Sequence, residues 1–225
     1  MTAGMARQLR QPTGIRGRLV GRSLNRGNRK TVLAAVDATG LEPGQSAADL
    51  GFGGGLGLRS LLDRVGPEGH VHGVDFSETM VSMARRGFRD DVAAGRLTLH
   101  AGDLVDLPLP DNSVDAVITI NTVYFVSDLE RALAEIARVL RATGRAVIGV
   151  GHPETMASMP FTAHGFTLRP IDELVRHLRA TGFAEPQDQR VGTGDGAFHL
   201  LVADLEPSAG ETPQAAGLGP TGYPI

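Results

Sequence analysis

The chain has 225 residues and a formal net charge of −3 from 22 basic and 25 acidic side chains, a length that suits one domain with a substantial core. It contains no cysteine, which excludes disulfides, thiolate-bound zinc or iron–sulfur centres and any thiol nucleophile. No run of about 18 apolar residues and no charged start leading into an apolar block with a cleavage site occurs, so neither a membrane span nor a secretory leader is expected, and the cytoplasm is the expected setting.

Residues 1–30 hold seven Arg, one Lys and no acid, a basic arm or cap. Such an arm suits an anionic partner or surface, or packing over an acidic face of its own domain through Leu9, Ile15, Leu19, Val20 and Leu24. From residue 31 to 205 the pattern is that of one domain. Short apolar runs at 46–50, 70–75, 96–101, 114–120 and 145–150 predict strands, several apolar on both faces as in a covered parallel sheet. Between them, Leu58, Leu61, Leu62 and Val65 form one helical stripe, and Leu129, Leu133, Ile136 and Leu140 another, opened by a capping box of Ser127 and Glu130. Strand and helix alternate, which predicts an α/β doubly wound, Rossmann-like sheet.

The period is lost over about 151–170, expected to be a lid inserted before a helix that ends at Gly182. Two further strand candidates flank "GTGDG" (192–196), a hairpin signal. Residues 206–225, rich in Pro, Gly and Ala, predict a disordered tail.

The stretch "AADLGFGGGLGL" (47–58) crowds glycines between the first strand and the first helix, where backbone N–H groups face a ligand in an open parallel sheet. Gly51, Gly53 and Gly55 alternate after Asp49, whereas a dinucleotide fingerprint meets Leu56 or Leu58 where its third glycine belongs. The second strand ends in Asp75, suited to accept hydrogen bonds from both hydroxyls of a ribose, and the third is followed by Asp103, suited to an adenine amino group. Each has a plainer alternative: Asp49 or Asp103 as a cap, Phe52 as core.

"AADLGFGGG", "HGVDFSETMVSMA", "LHAGDLVDLPLPDNSVDAVITINTVYFVSD" and "EIARVLRATGRAVIGV", in this order and spacing, resemble the successive motifs of class I S-adenosylmethionine-dependent methyltransferases of the small-molecule type, over roughly residues 31–205. The resemblance implies a seven-stranded sheet whose last strand is antiparallel, in keeping with the terminal hairpin. It implies S-adenosylmethionine as cofactor, no metal, and a small-molecule methyl acceptor. By position, Asp49, Gly51, Phe52, Gly53 and Gly55 would border the methionine part. Asp75 would hold the ribose, Phe76 and Met80 would flank the adenine, Gly102, Asp103 and Leu104 would meet its edge, and Asn121 would lie near the methionine moiety. "RATGR" departs from the family pattern at Thr143, in an expected turn before the fifth strand. The segment before the sheet, including "GRLVGRSLNRGNRK", is implied to fold over the site.

Methyl transfer from a sulfonium needs alignment and exclusion of water, and a base only for some acceptors. Tyr124, His152 and His164 are the candidate bases, each with a plainer alternative as pocket wall or solvated loop side chain. Met156, Met159, Phe161 and Phe166 suit an adaptable apolar lid, hence a small, partly apolar acceptor. Nucleic acid is not expected as a partner: the chain lacks the cysteine of cytosine C5 chemistry, and "NTVY" stands where amino-group methylation of adenine uses an acid or Asn followed by Pro-Pro and an aromatic. A monomer or homodimer is expected. Two other classes stay open, a noncatalytic adenosine-cofactor-binding module and an NAD-type oxidoreductase.

Overall fold

The computed structural model describes Gly4, residues 28–194 and residues 197–206. The basic arm up to Gly27 apart from Gly4, the tip of "GTGDG" at Asp195 and Gly196, and the tail from Pro207 lie outside the described residues.

Seven strands among the described residues form one sheet: β1 (Ser46–Leu50), β2 (His70–Asp75), β3 (Leu97–Ala101), β4 (Val114–Ile120), β5 (Leu140–Gly151), β6 (Gln187–Val191) and β7 (Phe198–Asp204). Their order is β3-β2-β1-β4-β5-β7-β6. The first five pair in parallel, and β7 is antiparallel to both β5 and β6. The helices are α1 (Arg29–Ala38), α2 (Leu56–Val65), α3 (Glu78–Gly87), α4 (Arg89–Ala93), α5 (Leu129–Val139), α6 (Pro153–Ser158) and α7 (Ile171–Ala180), with a 3-10 turn at Val123–Phe125. No helix among the described residues is long and apolar enough to cross a membrane.

The sheet is covered on both faces, which is why its strands are apolar on both sides. One core joins Leu133 and Ile136 of α5 and Leu174 and Leu178 of α7 to Val117, Ile148 and Leu201 of the sheet. The other joins Val36 of α1, Leu61 and Leu62 of α2 and Met80 of α3 to Val71, Ile118 and Val147. The stripe Leu58, Leu61, Leu62 and Val65 is at most 1% exposed, each such side chain contributing roughly 1.5–3 kcal/mol of burial. Arg145 ties the sheet's middle to its antiparallel edge through Asp204 at 2.6 Å.

Three local expectations are revised. Helix α5 is capped by Asp128, whose Oδ1 accepts the Arg131 N–H at 3.1 Å, not by Ser127; the carboxylate adds charge that complements the helix N-terminus. The expected turn at Thr143 is a bulge inside a longer β5, since Leu140 pairs with Val114 and pairing resumes with Arg145 opposite Ala116. The segment expected as a lid contains α6, which starts with Pro153 in its first turn, a residue whose fixed φ favours that position. Six residues are too few for a helical period to show in sequence.

Candidate functional site

Strands β1, β2 and β4 lie side by side, and the chain leaving their carboxyl ends meets in one crevice, where strand order reverses about β1 and α/β sheets bind ligands. The glycines after β1 build its floor. Gly51, Gly53 and Gly55 hold φ of 78°, 48° and 79°, a conformation costly for any residue with a side chain. The Gly51 N–H donates to Val74 O at 2.7 Å, and a Cβ at Gly51 would run into the Thr122 side chain. The loop crowds glycine because it needs left-handed backbone and a close approach to the loop after β4.

Asp75 locks this loop to β2. Its Oδ2 accepts the Gly53 N–H and its Oδ1 the Ser77 N–H, each at 2.8 Å. Burial raises its pKa and these two hydrogen bonds oppose the rise. Asp49 is more severely buried: 4% exposed, it is pushed up to about 8 by desolvation first and by the neighbouring Asp75 second. Gly57 permits this arrangement, because a Cβ there would overlap Asp49 Oδ2 and lie 3.0 Å from Ile118 Cδ1. Asn121 holds φ 59°, which Asn tolerates better than most residues, and its buried Oδ1 has no partner among the described residues.

These groups line a cavity of about 370 Å3 with two unlike halves. Asp49, Asp75, Asp103, Asn121 and Thr122 form the polar half, with Phe76 on its rim 53% exposed. Tyr124, Phe125, Phe161, Phe166 and Phe198 form the apolar half with Met156 and Met159. The Phe125 and Phe166 rings meet edge-on at 4.6 Å, and Phe161 stands 5.7 Å from Phe166. Arg169 straps the segment after α6 to the turn after β4, donating to Val123 O at 3.2 Å and Val126 O at 3.0 Å, while the Thr167 N–H donates to Tyr124 O at 2.8 Å.

Of the residues singled out by sequence, Asp49, Gly51, Phe52, Gly53 and Asp75 border this cavity, as do Phe76, Asp103, Leu104, Asn121 and Tyr124. Gly55, Met80, Gly102, His152 and His164 do not. Gly55 is the N-cap of α2, backed by the Phe88 ring. Met80 is fully buried in the core beneath α3. Gly102 donates its N–H to Asp75 O at 3.2 Å and faces Pro108. His164 is exposed, and His152 caps α6 with its ring turned to His199. Asp103 Oδ1 accepts the Val105 N–H at 3.3 Å, so it caps a turn and borders the cavity at once. Tyr124 is a wall whose hydroxyl accepts the Gly151 N–H at 2.6 Å, and burial pushes it up to about 12.

Sequence reasoning missed Gly57, Thr122, Phe125 and Phe198, and Asn28 and Val32 beside α1. Gly57 carried a signal, a glycine in the first turn of a helix where it costs about 1 kcal/mol; Phe198 carried none.

With this geometry in place, comparison with known proteins is informative. The model of the methyltransferase domain matches residues 48–148, which run from the end of β1 through β5. Over that stretch the chain carries a methyltransferase domain. It is similar to a 37.1 kDa protein in transposon Tn4556 of Streptomyces fradiae, 38% identical over 160 residues, 68% of this chain and 43% of that protein. It is also similar to the 2-phytyl-1,4-naphtoquinone methyltransferase of Trichormus variabilis, 36% identical over 115 residues, 51% of this chain and 50% of that one. The chain thus spans about half the length of these curated relatives. Among solved structures it is similar to the putative methyltransferase of Haloferax volcanii in complex with its Trm112 activator, with TM-score 0.73, 25% identity, and 86% and 95% of the two chains covered. The S-adenosylmethionine-dependent methyltransferase of Aquifex aeolicus shares the fold, with TM-score 0.68 at 21% identity over 92% and 100% of the chains. Met80, though off the cavity, lies in the core under the capped start of α3, where the Ser77 hydroxyl accepts the Met80 N–H at 3.4 Å.

Proposed function

We propose that this chain binds S-adenosylmethionine in the polar half of the cavity and transfers its methyl group to a small, partly apolar molecule in the aromatic half. The observation that carries this reading is the single cavity with two unlike halves: buried carboxylates and an unpartnered Asn121 oxygen at one end, rings and thioethers at the other.

The residues present suit the cofactor. Asp75 keeps lone pairs beyond its two backbone bonds for a ribose diol, Phe76 offers an exposed ring for the adenine to lie against, with Asp103 and Leu104 at the base edge. Asp49 and the glycine backbone face the amino-acid end. Bound there, S-adenosylmethionine supplies an electrophilic methyl group on a positively charged sulfur. The chain's contribution is then alignment and dryness: rings and Met side chains hold the acceptor's nucleophilic atom in line and exclude water. Tyr124, whose hydroxyl is raised rather than lowered, serves as a wall and hydrogen-bonding group, not as a base. The 2-phytyl-1,4-naphtoquinone methyltransferase among the relatives acts, by its name, on a largely apolar molecule, which supports an apolar acceptor class here. With this reading go an N-terminal cap, a lid over about 151–170, the cytoplasm as setting, and a monomer or homodimer acting without nucleic acid.

Calorimetric titration with S-adenosylmethionine, S-adenosylhomocysteine and NADH tests the reading, with Asp75→Ala as control. The first two are expected to bind wild type, and the folded variant about a hundredfold more weakly. Binding of NADH alone would sink it and return the glycine loop to the dinucleotide class.

A further inference from the structure

Asp188 on β6, His199 on β7 and His152 at the end of β5 form a hydrogen-bonded row across the antiparallel edge of the sheet. His199 Nδ1 lies 2.8 Å and 3.0 Å from the two Asp188 oxygens, and its Nε2 lies 2.9 Å from His152 Nδ1. The ring planes differ by 16° with centroids 5.2 Å apart, the separation left when two imidazoles meet edge to edge through a nitrogen–nitrogen hydrogen bond. His199 is 5% exposed, while Asp188 is open to solvent and His152 half-buried, so the central ring is the one taken out of water, which is costly unless its nitrogens are satisfied.

Chemistry fixes the protons. An ionised carboxylate only accepts, so His199 Nδ1 carries a hydrogen; in the neutral ring its Nε2 is then a lone pair, and His152 must donate from Nδ1. Both rings are held in the Nδ1–H tautomer, the minor form of a histidine in water.

The row ends where the apolar half of the cavity begins. His152 is the N-cap of α6: its carbonyl accepts the Met156 N–H at 2.9 Å and its N–H donates to Ala197 O at 3.2 Å. Met156 and Phe198, the residue before His199, both line the cavity. We propose that Asp188 and His199 are positioning residues that act through His152: the row seats α6, and with it Met156, at the acceptor half of the cavity. This rests on the reading above only in naming that half the acceptor's.

Long-range proton–nitrogen NMR of the labelled full chain reads the tautomers directly. Both His152 and His199 are expected as Nδ1–H. Asp188→Asn, at the sheet edge, is expected to release His152 to the Nε2–H form and to speed Met156 exchange about fivefold, the worth of one ordinary hydrogen bond. S-adenosylhomocysteine binding should stay within twofold of wild type. Nε2–H on His152 in the wild type, or Met156 protection indifferent to Asp188→Asn, overturns the proposal. If Asp188→Asn does not fold, the wild-type tautomers decide it. Failure of S-adenosylhomocysteine to bind either protein would strike the cofactor reading and leave the tautomer result standing.

Discussion

The two halves of the cavity are built by different means. In the polar half, position is set by backbone: three glycines at positive φ, the Gly53 and Ser77 N–H groups on Asp75, and Gly57 against Asp49. In the apolar half it is set by side chains from separate segments, the turn after β4, the stretch from α6 to Phe166 and the start of β7, held by Arg169, Tyr124 and packed rings. A backbone cradle tolerates few sequences because left-handed φ and absent Cβ atoms admit almost only glycine. An apolar wall tolerates many, since rings and Met can exchange at similar volume. The contrast suits a cofactor common to a family on one side and an acceptor peculiar to this chain on the other.

The contrast breaks most readily at Gly51. Gly51→Val combines φ 78° with a Cβ inside the Thr122 side chain, and should cost about 3 kcal/mol of stability from strain and overpacking together, with no measurable cofactor binding. Urea unfolding and calorimetry check it; a variant that binds S-adenosylhomocysteine like the wild type would show that the cradle is not made by backbone. Next in size is Asp75→Ala. It removes the acceptor for Gly53 and Ser77 and the ribose contact, and is expected to weaken cofactor binding by about 2–3 kcal/mol, near a hundredfold, while the chain stays folded.

This difference also decides what could be learned from sequence. The glycine run, Asp75 and Asp103 were legible because a backbone cradle leaves residue types at fixed spacings. The sheet was legible because burial on both faces writes continuous apolar strands, and the antiparallel β7 because "GTGDG" marks a hairpin. Phe198 and Val32 were not, because a core-like apolar residue on a strand or helix looks the same whether it faces a cavity or another side chain. Gly55, Met80 and Gly102 carry motif positions yet lie behind the cavity wall: the spacing marks the loop and helix they build, not which atoms reach the crevice. The His152–His199–Asp188 row joins the residue after β5 to the β6–β7 hairpin, distant from it in sequence, so no local pattern could announce it.

Asp49 sharpens the contrast through charge. Its folded value, about 8 against an ordinary 3.8, means that the free protein keeps it neutral at pH 7. The stability this group contributes is fully present below its ordinary value and is lost as pH rises through about 8. A cationic ligand beside it reverses the preference, so binding of S-adenosylmethionine or S-adenosylhomocysteine near pH 7 should release up to one proton and tighten as pH rises toward 8. Binding heats in two buffers of different ionisation enthalpy measure the release. Asp49→Asn should abolish it and flatten the pH dependence; an unchanged release in that variant would place the proton elsewhere.

The smallest effect expected is also the most discriminating. Tyr124→Phe keeps the ring in the apolar wall but leaves the buried Gly151 N–H without the hydroxyl that accepts it at 2.6 Å, a loss of about 1 kcal/mol in stability. Because Gly151 precedes the His152 cap of α6, the loosening should reach the lid and raise exchange at the Met156 amide. The Asp75 side of the cavity, fixed by its own backbone bonds, should bind S-adenosylhomocysteine within twofold of wild type. If cofactor affinity falls in step with lid protection, the halves are one cooperative unit, and the division between backbone-built cradle and side-chain-built wall describes their construction but not their energetics.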